Sequence, residues 1–509
     1  MRGSDTEGER CMRSRRRLVG VLVVAAAAGV VVASARRRRS SAATGDHLSA
    51  RGRSDRNVAL AKLAGQLGAA KAITRAQQVF ASAARKEELT AELQLKSAEQ
   101  VAAILGNMKG ALMKLGQLAS FLDDAMPQPV RDALAELQQN APPMSPELAA
   151  GVVEAELGGP PEKVFAEWDP VPIASASIGQ VHRAMTHDGR AVAVKVQYPG
   201  VDEAVRADLE NLDLAGTGVG FLFPGLDARA LVEELQVRLV EELDYTLEAA
   251  NQRDFARWYE GHPFISVPGV VDDLSTTRVL TTDLAEGSRF TEMESWDQAE
   301  RNLAAETIYR FVFRSLYRFG AFNGDPHPGN YLFRPGGQVT FLDFGLVKRL
   351  TPAEIALCYN IVSASVLSDD SAEIRRACEA AGLIAPGAPV SDDRVAEFMG
   401  IFWEVTKPDE VTTITADWAS RVARRFVDGR SSFGDVMAHA GMPPTFVVLQ
   451  RINLGLLAIL GRLDATANWR RMALELWPTD GPPSTDQGTV EQAWFAARHG
   501  VGNRIGSER

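Results

Sequence analysis

The sequence predicts an α+β protein of two lobes, a strand-rich lobe with one long helix and then a helix-rich lobe, preceded by an added N-terminal helical region. Three observations predict it. "AVAVKVQY" at 191–198 is β-branched and alternating, the signature of a strand. "YLFR" and "VTFLDFG" flank Pro335-Gly336-Gly337 and read as a β-hairpin. Long stretches of helical pattern lie on either side, from about Arg56 to Asn140 and from Thr351 almost to Leu476. A chain of 509 residues can support two or more domains with proper cores, and 46% hydrophobic with 24% charged residues is ordinary globular composition.

Taken in order, residues 1–54 form a basic tail and 55–144 a helical region that Pro142-Pro143 breaks. Ser145-Pro146, with Glu147 in the first turn, opens a short helix over 145–158. The pattern changes after Pro172, and the strand-rich lobe runs over 145–287. Leu231, Leu235, Leu239, Leu243 and Leu247 recur every four residues and predict one long helix over 228–258. "TRVLTTDL" reads as a strand leading to a loop. The helix-rich lobe, 288–478, opens with an amphipathic helix over 300–319 and contains the hairpin. Residues 479–509 are mostly polar and read as a loose tail.

The net charge of −10 conceals an asymmetry: residues 1–54 carry 12 Arg against 4 acidic residues, and the rest of the chain carries −18. A basic tail on an acidic body points to an anionic surface, lipid above all, and the acidic body argues against general nucleic-acid binding. Leu18 to Ala35 is an uncharged, mostly apolar stretch between arginine clusters, near the lower limit for a transmembrane segment. It reads as a membrane anchor, with a cleaved signal peptide at Ala33-Ser34-Ala35, an interfacial tail, or a start at Met12 as alternatives. The flanking charge favours a cell-membrane location with the body on the cytoplasmic side, otherwise a peripheral cytoplasmic protein. Cys11, Cys358 and Cys378 form no CxxC pair, so neither a zinc site nor a disulfide framework is expected.

The stretch "GDPHPGNYLFRPGGQVTFLDFG", 324–345, carries the chemistry. Phosphoryl transfer needs phosphates positioned, their charge neutralised by Mg²⁺ and Lys, and the acceptor oriented. Asp325 with Asn330 five residues on, followed across a hairpin by Asp343-Phe344-Gly345, has the order of a kinase catalytic loop and metal-binding segment. Asp325 would orient an acceptor hydroxyl or water; Asn330 and Asp343 offer hard oxygen ligands suited to Mg²⁺. "VAVK" supplies Lys195 on a strand. Upstream, Ala174, Ala176 and Gly179 in "ASASIG" stand where a glycine-rich phosphate loop would place glycines, and alanine restricts that backbone. A glutamate should pair with Lys195; Glu234, Glu241 and Glu248 fall on one helical stripe, with Glu242 and Asp244 nearby, and spacing does not choose among them. Together these predict a two-lobed protein-kinase-like fold. No protein-kinase activation segment follows Gly345: "LVKRLTPAEIALCYN" returns to helix almost at once, and the His-Arg-Asp of protein kinases is replaced by Asn323-Gly324-Asp325.

On these residues the chain resembles the ABC1/UbiB/ADCK (AarF) atypical kinase-like family over about 60–470. "KLGQ" (Lys114, Gly116, Gln117) matches its K-x-G-Q signature, "ASASIGQVH" its alanine-rich loop, and "ELD" (Glu242, Asp244) its E-x-D motif. "GDPHPGN" and "DFG" complete the set. Without the resemblance, "MKLGQLAS" reads as an ordinary amphipathic helix. The resemblance implies that Glu248 pairs with Lys195. It also implies that the K-x-G-Q helices fold back over the nucleotide site, bringing Lys114 and Gln117 to it, and that Glu242 and Asp244 hold this flap near the metal. It implies ATP or ADP with Mg²⁺ as cofactors, membrane association, and a link to isoprenoid-quinone biosynthesis, so that an anionic lipid or a quinone precursor is the expected partner beside nucleotide. The leading expectation is an ATP-binding atypical kinase or ATPase at a membrane surface. A small-molecule phosphotransferase of the aminoglycoside- or choline-kinase type and a nucleotide-switched scaffold without turnover are the alternatives.

Overall fold

The computed structural model describes residues 144–498, apart from 177, 203–240, 242, 325, 428–432, 438, 442 and 443. The apolar segment 18–35, the helical region up to 143 with Lys114 and Gln117, and Glu242 and Asp325 lie outside the described residues.

The strand-rich lobe is an antiparallel sheet of β1 (Glu167–Trp168), β2 (Ala174–Ala176), β3 (Gly179–Met185), β4 (Ala191–Gln197) and β6 (Val279–Asp283), in the order β1-β3-β4-β6 with β2 also on β3. Alternation decides which side chains go where. Val192, Val194 and Val196 of β4 are fully buried on one face, against Ala149, Val152 and Val153 of α1 (Pro146–Leu157). Ser145 caps α1 by accepting the Leu148 amide, as Ser-Pro at a helix start favours. Lys195 points to the opposite face, where Ile178, Leu243, Tyr245, Ala249 and Leu280 make a second small core.

The expected helix over 228–258 is not continuous. The helix α2 runs Tyr245–Trp258, and Asp244 in extended conformation caps it, accepting the Thr246 amide at 2.9 Å and hydroxyl at 2.6 Å. The Gln197 amide donates to the Leu243 carbonyl at 3.0 Å, pinning the chain at the break. The leucine stripe is accordingly broken: Leu243 is buried and Leu247 is 48% exposed.

In the second lobe α3 (Gln298–Phe319) runs through the main core. β7 (Ala321–Asn323) follows it and pairs with β10 (Val347–Arg349). The hairpin β8 (Tyr331–Arg334) and β9 (Gln338–Phe341) forms at the expected place, and β5 (Ile265–Ser266) adds to it in parallel. Then come α4 (Pro352–Leu367), α5 (Ser371–Ala380), α6 (Asp392–Gly400), α7 (Ala416–Val427), α8 (Pro444–Arg462) and α9 (Trp469–Leu476).

The expectation of a loose tail after 478 is corrected. Asp486–Arg498 is a helix, α10, with Gln487, Gly488, Glu491 and Phe495 buried. Its polar residues are buried because they meet charges on α3. Arg310, fully buried, donates to Glu475 at 2.6 Å and 3.1 Å, to Glu306 at 2.7 Å and to Glu491 at 2.9 Å. Arg314 donates to Glu491 at 3.0 Å. A Cβ on Gly488 would lie 2.5 Å from Glu475 and 2.6 Å from Arg310, so a larger residue there would have to displace this buried ion pair. Among the described residues no helix is long and apolar enough to cross a membrane.

Candidate active site

The site lies where the odd face of β4, the start of α2 and the segment after β9 meet. Lys195 Nζ donates to both carboxylate oxygens of Glu248 at 2.8 Å, and Asp343 Oδ2 is 3.8 Å away. The Tyr245 ring centroid lies 4.9 Å from the same ammonium. Of the glutamates that spacing left open, Glu248 is thus the one on Lys195; Glu234 lies outside the described residues. Burial works against the ammonium, and the charges of Glu248 and Asp343 outweigh it, holding the Lys195 pKa well above its usual range. That contribution to stability is complete below the ordinary lysine pKa and is lost only as pH rises through the raised one. Lys195 is therefore a fixed positive charge under physiological conditions.

Asp343 is held from its backbone outward. The Gly345 amide donates to its Oδ1 at 2.9 Å, and Asn323 of β7 donates to its carbonyl. Phe344 is fully buried under α2, with ring centroids 4.8 Å from Phe255, and its carbonyl accepts from Asn251 at 3.2 Å. The Asn330 carbonyl accepts the Leu342 amide at 3.0 Å, which brings the Asn330 turn alongside the residue before Asp343. Asp343 keeps 32% of its side-chain surface exposed, facing outward beside Lys195. A carboxylate and an amide oxygen are hard donors, so this donor set fits Mg²⁺.

The alanine-rich stretch is a tight hairpin. Ala174 and Ala176 pair with Val181 and Gly179, and the turn sends Ile178 into the small core. A Cβ on Gly179 would lie 2.2 Å from the Val196 carbonyl oxygen and 2.9 Å from the Tyr245 hydroxyl, so packing of β3 against β4 demands this glycine. Gln180 and His182 of "GQVH" are buried within the lobe: the Gln180 side-chain Oε1 accepts the Met144 amide at 3.0 Å, and His182 Nδ1 lies 2.9 Å from the Asp169 carbonyl. Asp244 serves as the cap of α2. Past Gly345 the chain enters β10, and Thr351 and Glu354 form a capping box that starts α4 at Pro352. No activation segment intervenes.

Sequence reasoning missed three residues. Tyr245 and Asn251 sit three before and three after Glu248, on the same helix face, a spacing that was readable. Asn323 was read as a departure from His-Arg-Asp, yet it supports the backbone of Asp343.

A sheet lobe and a helical lobe with a lysine–glutamate pair over an Asp-Phe-Gly segment define a kinase-like protein. Residues 136–378 match the ABC1 atypical kinase-like domain. Rv3197 from Mycobacterium tuberculosis, solved in complex with erythromycin, is 34% identical, superposes with a TM-score of 0.55, and is matched over 78% of this chain and 100% of its own. Activity of BC1 Complex Kinase 1, chloroplastic, from Arabidopsis thaliana is 33% identical over 300 residues, 58% of this chain and 44% of that protein. The mitochondrial atypical kinase COQ8B from Rattus norvegicus is 38% identical over 252 residues, 49% of this chain and 48% of that protein. The match thus spans about half the length of these curated relatives. The chain belongs to the ABC1 atypical kinase-like family.

Proposed function

We propose that the chain is an ATP-binding, Mg²⁺-dependent atypical kinase or ATPase acting at a membrane surface in support of isoprenoid-quinone lipid metabolism, and not a conventional protein kinase. The observation that carries this reading is the Lys195–Glu248 pair with the Asp343 carboxylate 3.8 Å from the ammonium. Lys195 would neutralise phosphate charge, and Asn330 and Asp343 would hold Mg²⁺, which when bound supplies further charge on the phosphates. Asp325 would orient the acceptor hydroxyl or water. Ala174, Ala176 and Gly179 would line the phosphate side. Lys114 and Gln117 would belong to the flap that the family likeness implies, and Glu242 and Asp244 would hold it near the metal. The direct passage from Gly345 through β10 into α4 leaves no platform for a peptide substrate. The membrane assignment rests on the charge and apolarity of residues 1–54, and the quinone assignment on the family likeness alone.

A second reading, a small-molecule phosphotransferase, draws support from Rv3197, which was solved with erythromycin, a molecule rich in hydroxyl groups. Equilibrium binding of ATP with and without Mg²⁺ tests both. The full chain is expected to bind, with Lys195→Ala weakening affinity roughly 10–100-fold, the loss of a charge-assisted contact. Asp343→Asn should remove the Mg²⁺ dependence. Equal binding by all three proteins refutes the site. Erythromycin that raises turnover where liposomes do not favours the second reading.

A further inference from the structure

We propose that Arg498, the last residue of α10, is a positioning residue for the Lys195–Glu248 pair and acts through α2. The end of α2 leaves carbonyls without helical partners. Arg498 supplies donors: Nη2 to the Arg257 carbonyl at 2.5 Å and Nη1 to the Glu260 carbonyl. Its charge also sits at the negative end of the α2 dipole. The Glu260 carboxylate lies 3.4 Å from it, and the guanidinium covers Trp494 at 5.2 Å from the ring centroid.

Arg498 is anchored independently of the site. α10 is tied to α3 through Glu491, which takes Arg310 and Arg314. Phe495 lies under Arg318 at 4.1 Å, and Trp494 packs edge-on to His262 at 4.6 Å. The helix thus belongs to the second lobe, while its last side chain grips a helix that serves the first.

The middle of α2 is held by Asn251 and Gln252, which donate to the Phe344 and Pro268 carbonyls at 3.2 Å and 2.8 Å. A rod held at its middle can pivot. A second hold at its end, made by Arg498 and by Tyr259 with Ser315 at 2.8 Å, stops the pivot. Glu248 lies about one turn from the middle holds, so a tilt of roughly 10° moves its carboxylate by about 1 Å. That is enough to lose hydrogen bonds of 2.8 Å.

The test reads Lys195 itself, so the proposal depends on the nucleotide reading only for its consequence in turnover. Acylation of the full chain by a small amine-reactive ester at neutral pH is followed lysine by lysine by mass spectrometry. Pulling Glu248 away removes the two 2.8 Å hydrogen bonds that engage the Lys195 amine, which is then freer to meet the ester. In Arg498→Ala, Lys195 is expected to react about 3–10-fold faster, with Lys163 and Lys407 unchanged. Arg498→Lys, which keeps the charge but not the fork, should fall between, and Glu248→Gln sets the ceiling. An unchanged Lys195 rate overturns the proposal. So does a rise shared by all lysines, which would make Arg498 a merely structural residue. Were the wild-type chain to bind no ATP, the proposed function would fall while the Lys195 rates still decided this one.

Discussion

Glu491 shows how much one side chain can carry. It is fully buried, Arg310 and Arg314 donate to it, and His262 Nε2 lies 3.6 Å away. Burial pushes its carboxyl up, and His262, Arg314 and Arg310 outweigh that, taking it down to about 2. Burial lowers His262 from its ordinary value, against the pull of Glu491. The sign follows from linkage: a depressed carboxyl contributes stability that is complete above its unfolded value near 4.5 and lost as pH falls towards 2. Glu491→Gln strands buried guanidinium groups and is expected to cost roughly 3–5 kcal/mol near pH 7. Urea unfolding across a pH series should show the gap from wild type narrowing between about pH 5 and pH 3. A gap independent of pH over that range would mean that the Glu491 charge is not what the arginines hold. None of this was legible in "STDQGTVEQAWFAARH": a buried ion cluster and a solvated surface have the same polar composition, and only the partners on α3 tell them apart. That Lys195 and Asp343 would be brought together was legible, because the kinase pattern restricts residue type and order together.

Among the elements, those with strict alternation were readable before the fold was seen. β4 alternates because one face meets α1 and the other faces the site, and the hairpin around Gly336-Gly337 declares itself through its turn residues. α2 was harder. Leucines at a spacing of four run on across Asp244, so periodicity hides the break. The cap signal was present nonetheless: Asp244 stands just before Tyr245, with Glu248 in the first turn. The β2–β3 hairpin yields a prediction of its own. A methyl on Gly179 must displace the Val196 carbonyl, which is backbone and cannot rotate away. Gly179→Ala is therefore expected to lose roughly 1–3 kcal/mol in chemical denaturation, the range for overpacking. Ala176→Gly, which adds no atoms, should cost under about 1 kcal/mol. A Gly179→Ala protein as stable as wild type would return that glycine to a purely phosphate-facing role.

At the scale of the whole molecule, the two lobes meet through α2, the hairpin and α10, and the candidate site lies at that junction. Its second lobe departs from a protein kinase where a peptide would dock, because β10 closes on β7 and α4 starts directly after it. A kinase-like site without a peptide platform should turn over nucleotide on water or on a small acceptor. Under the proposed function, the basic tail on an acidic body makes an anionic bilayer the surface to test. The most direct measurement is ATP turnover by the full chain, with and without anionic liposomes, beside an Asp343→Asn variant that still folds. The account predicts turnover that rises with the liposomes and falls in the variant at least about 100-fold, as loss of a metal-binding charge requires. Turnover that persists in Asp343→Asn, or no turnover in either condition while ATP is still bound, would contradict it.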